Sequence, residues 1–426
     1  MRLFRASIFS IILLLFSATF LTAQDGVPAN NSPFTRYGVG SIANPTFSAQ
    51  QMMGGWSAAY ASPFFVNMEN PASLGSLGYT SFESGMFYQY SRLSSDEATA
   101  DIQDGNLLHL TLAFPIFNPI NRSLAAKKKP FNWGMGLSLA PYSNVGYDLE
   151  STVIDPQVGE VIYNFQGDGQ LYTMKLGNGF KYKNFSVGAN LGYLFGKITQ
   201  TRIAAFNDVE AALGNILADN TAHAGFIWDF GVQQEFNLIK PDTVNTTGTR
   251  RIQPTKLVLG LSGHTNLRVS TNSESVYRRP PNDTIFFAEE LEGPSTFPAT
   301  INFGAAIKKG QKFIIGTEIA YSMWSNFEHP TLLDELENGY RIALGGSYTP
   351  NTRSYKVFKR TKYRAGVFYE KDPRVVGGQQ LTNLGLNVGV SFPVILPRGV
   401  PSFVNLGFEM GQLSNDSLSE TYFRTT

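Results

Sequence analysis

The stretch Asn184-Phe185-Ser186-Val187-Gly188-Ala189-Asn190-Leu191-Gly192-Tyr193-Leu194-Phe195 decides the fold. Phe185, Val187, Ala189, Leu191 and Tyr193 fall on one face, and Ser186, Gly188, Asn190 and Gly192 on the other. Sustained apolar–polar alternation is the period of a β-strand whose two faces meet different surroundings. The pattern recurs along the chain. Phe313, Ile315, Thr317, Ile319 and Tyr321 alternate with Gly316 and Glu318, and Leu384, Leu386, Val388, Val390 and Phe392 with Gly385, Asn387, Gly389 and Ser391. Ile342, Leu344 and Tyr348 stand against Arg341, Ala343 and Ser347. The second face is mostly Gly, Asn and Ser, with an occasional charge.

Working outward from these segments, the periodicity predicts strands near 77–92, 105–117, 131–149, 168–182, 184–203, 222–239, 255–272, 297–308, 312–327, 338–350, 360–371, 381–393, 402–412 and 418–426. That is about fourteen, an even number, as closed bacterial barrels have. Many approach or pass the 9–11 residues that a strand needs to cross a bilayer. The connections alternate in character. One set is often tight and basic: Lys181 to Asn184, Lys308 to Lys312, and a longer one holding Lys127, Lys128 and Lys129. The other set is longer and mainly acidic: Asp96 to Asp104, Glu150 to Gly167, Asp208 to Asp219, Asp283 to Glu292 and Asp334 to Glu337. Short turns on one rim and long loops on the other is the outer-membrane barrel pattern. Two segments fit it less well: 240–254 is long for a periplasmic turn, and 204–221 has the composition of a helical turn.

Composition agrees. The 426 residues include 33 Phe, 19 Tyr and 41 Gly but only 16% charged residues, against about 25% in average proteins. Mean hydropathy is −0.11. After the first two dozen residues, no apolar run reaches membrane-helix length. Membrane strands produce this combination, because alternation halves the apparent hydrophobicity.

The first residues, MRLFRASIFSIILLLFSATFLTAQ, read as a secretory signal peptide. Arg2 and Arg5 precede an apolar run from Ile8 to Leu21, and small residues follow, with cleavage near Ala23-Gln24. Its removal takes Lys+Arg from 34 to 32 against 33 Asp+Glu, a net charge near −1. No basic stripe suited to nucleic acid is visible. Cysteine is absent, which excludes disulfides, thiolate metal sites and lipid attachment at an N-terminal Cys.

Motifs for chemistry are few. Gly38-Val39-Gly40-Ser41-Ile42-Ala43 matches the dinucleotide fingerprint as letters. That fingerprint needs a preceding strand, a following helix and a parallel sheet, none of which is predicted. His109, His223, His264 and His329 are scattered without paired spacing. Neither GxSxG nor GxxxxGK occurs. No catalytic residue, metal or cofactor is expected, and the chain does not read as an enzyme.

Charges at inward strand positions are the better candidates: Asp229, Glu235, Glu318, Arg341, Arg364, Glu370 and Glu409. Glu318 and Arg341 lie on neighbouring strands and are placed to pair in the lumen. An ion network that fills the barrel and holds a plug accounts for these charges, as does contact with the polar head of a substrate. A one-residue register slip would turn all of them outward. Pro141 interrupts the third strand in "LSLAPYSNVGY". Proline has no ladder donor, so it marks either the start of the extracellular hairpin or a kink that opens the wall.

"ENPASLG" (69–75) separates an irregular Gly-rich segment from the first strand. Pro71 fixes one backbone angle, Gly75 permits unusual ones, and Asn70 can bond locally.

With a leader, an irregular segment, Asn-Pro-Ala and about fourteen strands in this order, the chain resembles the FadL-type outer-membrane transporters of long-chain fatty acids and other hydrophobic compounds. "NNSPFTRYGVG" (30–40), "MMGGWSAAYAS" (52–62), "NMENPASLG" (67–75), "GDGQLYTMKLGNGF" (167–180) and "EIAYSMWSNFEHP" (318–330) look like the Bacteroidota branch of that family. The resemblance covers nearly the whole mature chain. It implies an all-β transmembrane antiparallel barrel of about 14 strands with an N-terminal hatch. Residues 1–23 are then the signal, 24–76 the hatch and 77–426 the barrel. It also implies passive uptake of a hydrophobic small-molecule ligand, with lateral release into outer-membrane lipid beside a kinked third strand. Asn70, Pro71 and Ala72 match the hatch motif, Pro141 matches the kink, and the motif is expected to face the kink.

Asp229, Glu318, Arg341, Arg364 and Glu409 form the expected lumen network. The alternative is a non-transporting barrel of the same build that serves as a subunit of an outer-membrane secretion or assembly complex, with outer-membrane proteins as partners. The final "SLSETYFRTT" (417–426) reads as a short closing strand or one that stops before completion.

Overall fold

A computed structural model describes residues 32–95, 98–117, 130–156, 159–206, 214–239, 254–280 less Pro280, 283–332, 334–352, 354–395 and 401–426. The expected signal peptide, Lys127 to Lys129 and most of 240–254 lie outside the described residues.

Fourteen antiparallel strands close into one barrel. They are β1 (Ser81–Ser95), β2 (Thr99–Pro115), β3 (Phe131–Asp155), β4 (Gly159–Tyr182), β5 (Phe185–Phe206) and β6 (Asn215–Ile239). β7 comes in two segments, Thr255–His264 and Leu267–Arg279, as does β8, Asp283–Phe297 and Thr300–Lys309. Then follow β9 (Phe313–Ser322), β10 (Gly339–Tyr348), β11 (Lys362–Val376), β12 (Gln379–Ile395), β13 (Pro401–Ser414) and β14 (Leu418–Thr425). Each strand pairs with the next, and β14 pairs with both β13 and β1. Pro298, which has no N–H to give, lies in the break in β8; beside it the Ala299 N–H donates to the Asn266 side chain at 2.8 Å.

The alternation holds in register. Phe185, Val187, Leu191 and Tyr193 are exposed on the outer face, while Ser186 and Asn190 are buried inside. Aromatic residues mark two levels. Phe131, Tyr182 and Phe185 share one cross-strand row, as do Phe313, Tyr348 and Tyr363. Tyr321 and Tyr340 form a second level. Tyr340 and Tyr348 lie eight residues apart on β10, about 27 Å along an antiparallel strand before tilt. This is close to the apolar band of about 25 Å between the aromatic girdles of outer-membrane barrels. The rim below the Phe131 and Tyr348 rows carries the tight turns at 183–184 and 310–312 and the start of β1, as a periplasmic rim does.

Several expected loops are strand instead. β3 runs on to Asp155 and β4 begins at Gly159, so most of Glu150 to Gly167 is a paired hairpin. Asp283 to Glu292 belongs to β8, and the part of 204–221 from Asn215 onward, read as a helical turn, is the start of β6, while 207–213 lie outside the described residues. Beyond the bilayer both faces of a strand tolerate polar residues, so alternation fades while backbone pairing persists. As a result β3 to β6 are 22 to 25 residues long, while β9 and β10 have 10 each.

Residues 32–80 lie inside the barrel and contain little regular structure. Helix α1 (Ser48–Gln51) is a single turn, and Pro33–Arg36 and Pro71–Ser76 are 3-10 turns. Met53 and Trp56 are fully buried among the inner-wall residues Val258, Ala306, Ala343 and Phe368. Residues 323–332 and 334–338, between β9 and β10, fold back into the extracellular mouth. There Trp324 joins Val39, Val145, Leu171 and Phe297 in a second core. The Gly38 N–H donates to Asp334 Oδ2 at 2.8 Å, tying this loop to the interior segment.

Candidate functional site

The interior segment meets the wall through glycines. A Cβ at Gly260 would fall on the Ala58 carbonyl oxygen, at Gly134 on the Leu74 carbonyl, and at Gly188 on the Pro71 carbonyl group. Gly345 and Gly366 lie against Met53, Gly316 against the Trp56 ring and Gly389 against Met52. These glycines were legible as the small inner face of the alternating strands, but what they admit was not. Gly134, Gly188, Gly260, Gly345 and Gly366 let the backbone of the interior segment approach the backbone of the wall, while Gly316 and Gly389 make room for the Trp56 and Met52 side chains.

Asn70-Pro71-Ala72 is fully buried in this seam. Asn70 caps the Pro71–Ser76 turn: its Oδ1 accepts the Ala72 N–H at 3.1 Å, and Pro71 occupies the first helical position, where a missing N–H costs nothing. The Asn70 Nδ2 donates to the Ala58 carbonyl at 2.6 Å, with the Val232 and Leu261 carbonyls farther off at 3.4 Å. Pro71 packs against Gly179 and Gly188, and Asn70 against Gly231.

The motif does not face Pro141. Its neighbours on the wall are level with Gly134 on β3, seven residues below Pro141, whose cross-strand partner is Tyr172. Position along a strand is set by the fold of the interior segment, which the sequence pattern does not reveal.

At Pro141 the wall does break. The β2–β3 ladder runs from Pro115–Gly134 to Leu110–Leu139 and ends there, and β3 bulges between Pro141 and Ser143. Just above the break, the interior residues Ser41–Ile42 pair with Asn144 and Ser143, and the Ala43 N–H donates to the Tyr142 carbonyl at 2.9 Å. The Gly38–Ala43 letters thus belong to a strand patch. Gly40, at φ +89°, lies against the Asn144 carbonyl where no side chain fits.

The inward charges mostly serve the interior segment. Glu318 and Arg341 do not form the expected pair. Glu318 Oε2 accepts the Ser57 N–H at 2.8 Å and the Ala58 N–H at 2.5 Å. Arg341 donates to Glu370 at 2.8 Å and to the Gly54 carbonyl at 3.0 Å, with its guanidinium over the Phe368 ring. Each finds a backbone partner on the interior segment, an option invisible from strand neighbours alone. Asp229 pairs with Lys175 at 2.8 Å, and Asn190 bridges Asp229 to the Met68 carbonyl. Arg364 bonds Ser391 and lies over the Phe65 ring. Glu409 accepts from Asn387 at 2.7 Å and from Tyr422 at 3.2 Å.

Glu235 collects three ammonium groups, from Lys181, Lys256 and Lys308, at 2.6–2.9 Å. Lys181 and Lys308 had the look of turn residues, yet they reach inward. Burial of Glu69 raises its carboxyl pKa, opposed by nearby Lys175; it also accepts from Asn302 at 3.1 Å. Replacing Glu318 by alanine orphans two buried N–H groups and is expected to cost about 2–5 kcal/mol, with glutamine recovering part of it. Denaturant titration in detergent, read by the gel mobility of the folded barrel, measures both.

A cavity of about 340 Å³ remains between the interior segment and the wall. It reaches both sides of the break, touching Asp104 and Leu108 on β2 and Pro141 and Tyr142 on β3. Its lining holds eight carboxylates against five Lys and Arg, among them Glu69, Asp104, Glu370 and Glu420.

At the mouth, two of the scattered histidines meet, 106 residues apart: His329 Nε2 lies 3.1 Å from His223 Nε2. His329 Nδ1 accepts the Thr331 and Leu332 N–H groups, so its proton sits on Nε2 and points at His223. Burial lowers His329 to about 4. A folded pKa below the unfolded value of about 6.5 means that the neutral ring stabilises fully above that pH. The contribution falls as pH drops from 6.5 towards 4. Hydrogen exchange of residues 323–338, corrected for intrinsic rates, is expected to accelerate at least tenfold between pH 7.5 and pH 4.5, and His329→Gln is expected to flatten that response.

A family model described as BamG matches residues 5–426. The chain belongs to the BamG family. Among solved structures, the BamG-family chain is similar to the Ralstonia pickettii toluene transporter TbuX, at 13% identity and a TM-score of 0.52 over 89% of this chain and 97% of that one. It is also similar to a deltaS2 mutant of the TodX monoaromatic hydrocarbon channel, at 12% identity and a TM-score of 0.51 over 90% and 97%. At such identities the likeness is one of fold. No curated protein matches.

Proposed function

We propose that this protein is a plugged outer-membrane barrel that works as a subunit of an outer-membrane assembly or secretion complex. The observation that carries this reading is the seam. Backbone of the interior segment lies directly on glycines of β3, β4, β5, β7, β10 and β11, where side-chain motion alone opens no path. The lining of the residual cavity does not separate this reading from hydrophobic uptake, because its carboxylates stand among apolar side chains such as Phe87, Leu194, Ile227, Phe297 and Trp324. On this reading the inward charges lock a plug, the signal peptide directs export, and neighbours in the membrane supply the activity.

Native mass spectrometry of protein extracted at native abundance tests it. The expected result is a defined complex with another outer-membrane protein in fixed stoichiometry, while the purified barrel stays insulating in planar bilayers. A lone barrel that carries a hydrophobic ligand and speeds its uptake overturns it.

One observation favours a second reading, passive uptake of hydrophobic compounds such as long-chain fatty acids. The cavity touches both edges of the wall break at Pro141, which would suit lateral release into lipid. Burying each CH₂ would contribute roughly 0.8 kcal/mol to capture. Uptake of a labelled fatty acid by proteoliposomes, compared with a variant whose break is cross-linked, separates the two readings.

A further inference from the structure

Residues 349–361 join β10 to β11 at the periplasmic rim and contain helix α2 (Val357–Arg360). Tyr355 is fully exposed, Phe358 is 71% exposed, and Val357 is exposed as well. Exposed aromatics on a periplasmic connection would be costly in water. Their place on the barrel explains them. The Tyr363 hydroxyl donates to the Phe358 carbonyl at 3.0 Å. Tyr363 belongs to the outward row with Tyr348, while its neighbour Arg364 is buried in the lumen. The hydroxyl therefore fixes α2 outside the wall, beside the lower aromatic girdle, rather than beneath the lumen.

The charge of this connection is one-sided. Its thirteen residues include no Asp or Glu, and Lys356, Lys359 and Arg360 flank the apolar side chains. Other turns on this rim are basic too. Lys312 lies over the Tyr348 ring at 5.9 Å, and Lys183 over Tyr182 at 5.2 Å. Cations set just beyond girdle aromatics face the phosphate layer of a leaflet.

We propose that residues 354–361 form an interfacial foot that binds anionic phospholipid of the inner leaflet. Tyr355, Val357 and Phe358 enter the headgroup–acyl boundary, and Lys356, Lys359 and Arg360 hold headgroup phosphates. Apolar insertion and electrostatic attraction then act together, as in interfacial amphipathic segments. The proposal stands independently of whether the barrel transports or assembles, because it concerns only the outer surface of the rim.

The full chain in lipid nanodiscs tests it. Tyr355→Trp, read against the parent protein, reports depth through quenching by brominated lipids. The expected result is at least twofold quenching of the added emission. Native mass spectrometry then counts retained phosphatidylglycerol in mixed nanodiscs. Lys356→Gln, Lys359→Gln and Arg360→Gln together are expected to lower that number at least threefold, with folded gel mobility unchanged. An unquenched, water-exposed tryptophan overturns the proposal, as does equal lipid retention by the triple variant. A soluble periplasmic protein that binds this connection in lipid-free detergent and is lost in the same variant also overturns it.

Discussion

On the proposed reading, Gly260→Val is expected to unseat the interior segment and turn an insulating barrel into a conducting one. The new side chain would start at the Ala58 carbonyl oxygen. That carbonyl accepts from Asn70 at 2.6 Å and from Gln233 at 2.9 Å, while the Ala58 N–H donates to Glu318. Displacing Ala58 therefore disturbs bonds to two wall strands and to the Asn-Pro-Ala turn together. Overpacking alone costs about 1–3 kcal/mol, and each buried group left unpaired adds about as much. Since the wall ladders do not depend on this contact, the barrel should persist. Single-channel recording in planar bilayers is the measurement, and a rise of at least tenfold in open probability over the parent is expected. Gly105→Ala, whose added carbon meets nothing nearer than 3.4 Å, is the control and should stay silent.

The second large effect concerns Asn70, and its signature is a rank order. Asn70→Ala leaves the Ala72 N–H without its cap acceptor and costs about 2–4 kcal/mol, combining a lost cap with a buried unpaired donor. Asn70→Asp keeps the cap oxygen. However, it places a carboxylate where an amide donor met the Ala58 carbonyl, with the Val232 and Leu261 carbonyls behind it. A buried charge facing carbonyl oxygens costs more than a missing amide. Aspartate should therefore be worse than alanine although it is nearer in shape. Thermal shift of the folded band in detergent orders the two. The reverse order would mean that the amide protons of Asn70 contribute little.

How much of this was legible follows from what each feature depends on. The wall was legible at Phe185 to Phe195 because a period of two needs only local sequence, and it carried Asp229, Glu318, Arg341 and Arg364 to the inner face. Their partners were not legible. Glu318 bonds Ala58 across 260 residues, and Arg341 bonds Gly54 across 287. Such contacts depend on how an irregular segment folds inside a closed space. The tall hairpins above the bilayer were hidden for the opposite reason: polar residues on both faces erase the alternation that marks a strand. Pro141 marked the break with a single residue, because a missing donor is a local fact. The height of Asn70-Pro71-Ala72 on the wall was not a local fact, and the expected meeting with Pro141 failed.

The glycine seam also dictates an order of assembly. Residues 32–80 precede every wall strand in the chain, yet their seats run from Gly134 on β3 to Gly389 on β12. No partial sheet offers them all. The segment must wait, unlocked, while the ladder grows around it, and contacts so distant in sequence form slowly. The pairing of β14 with β1 then works like a drawstring: it traps a strand of rope that was threaded first and cannot afterwards be withdrawn without undoing the bag.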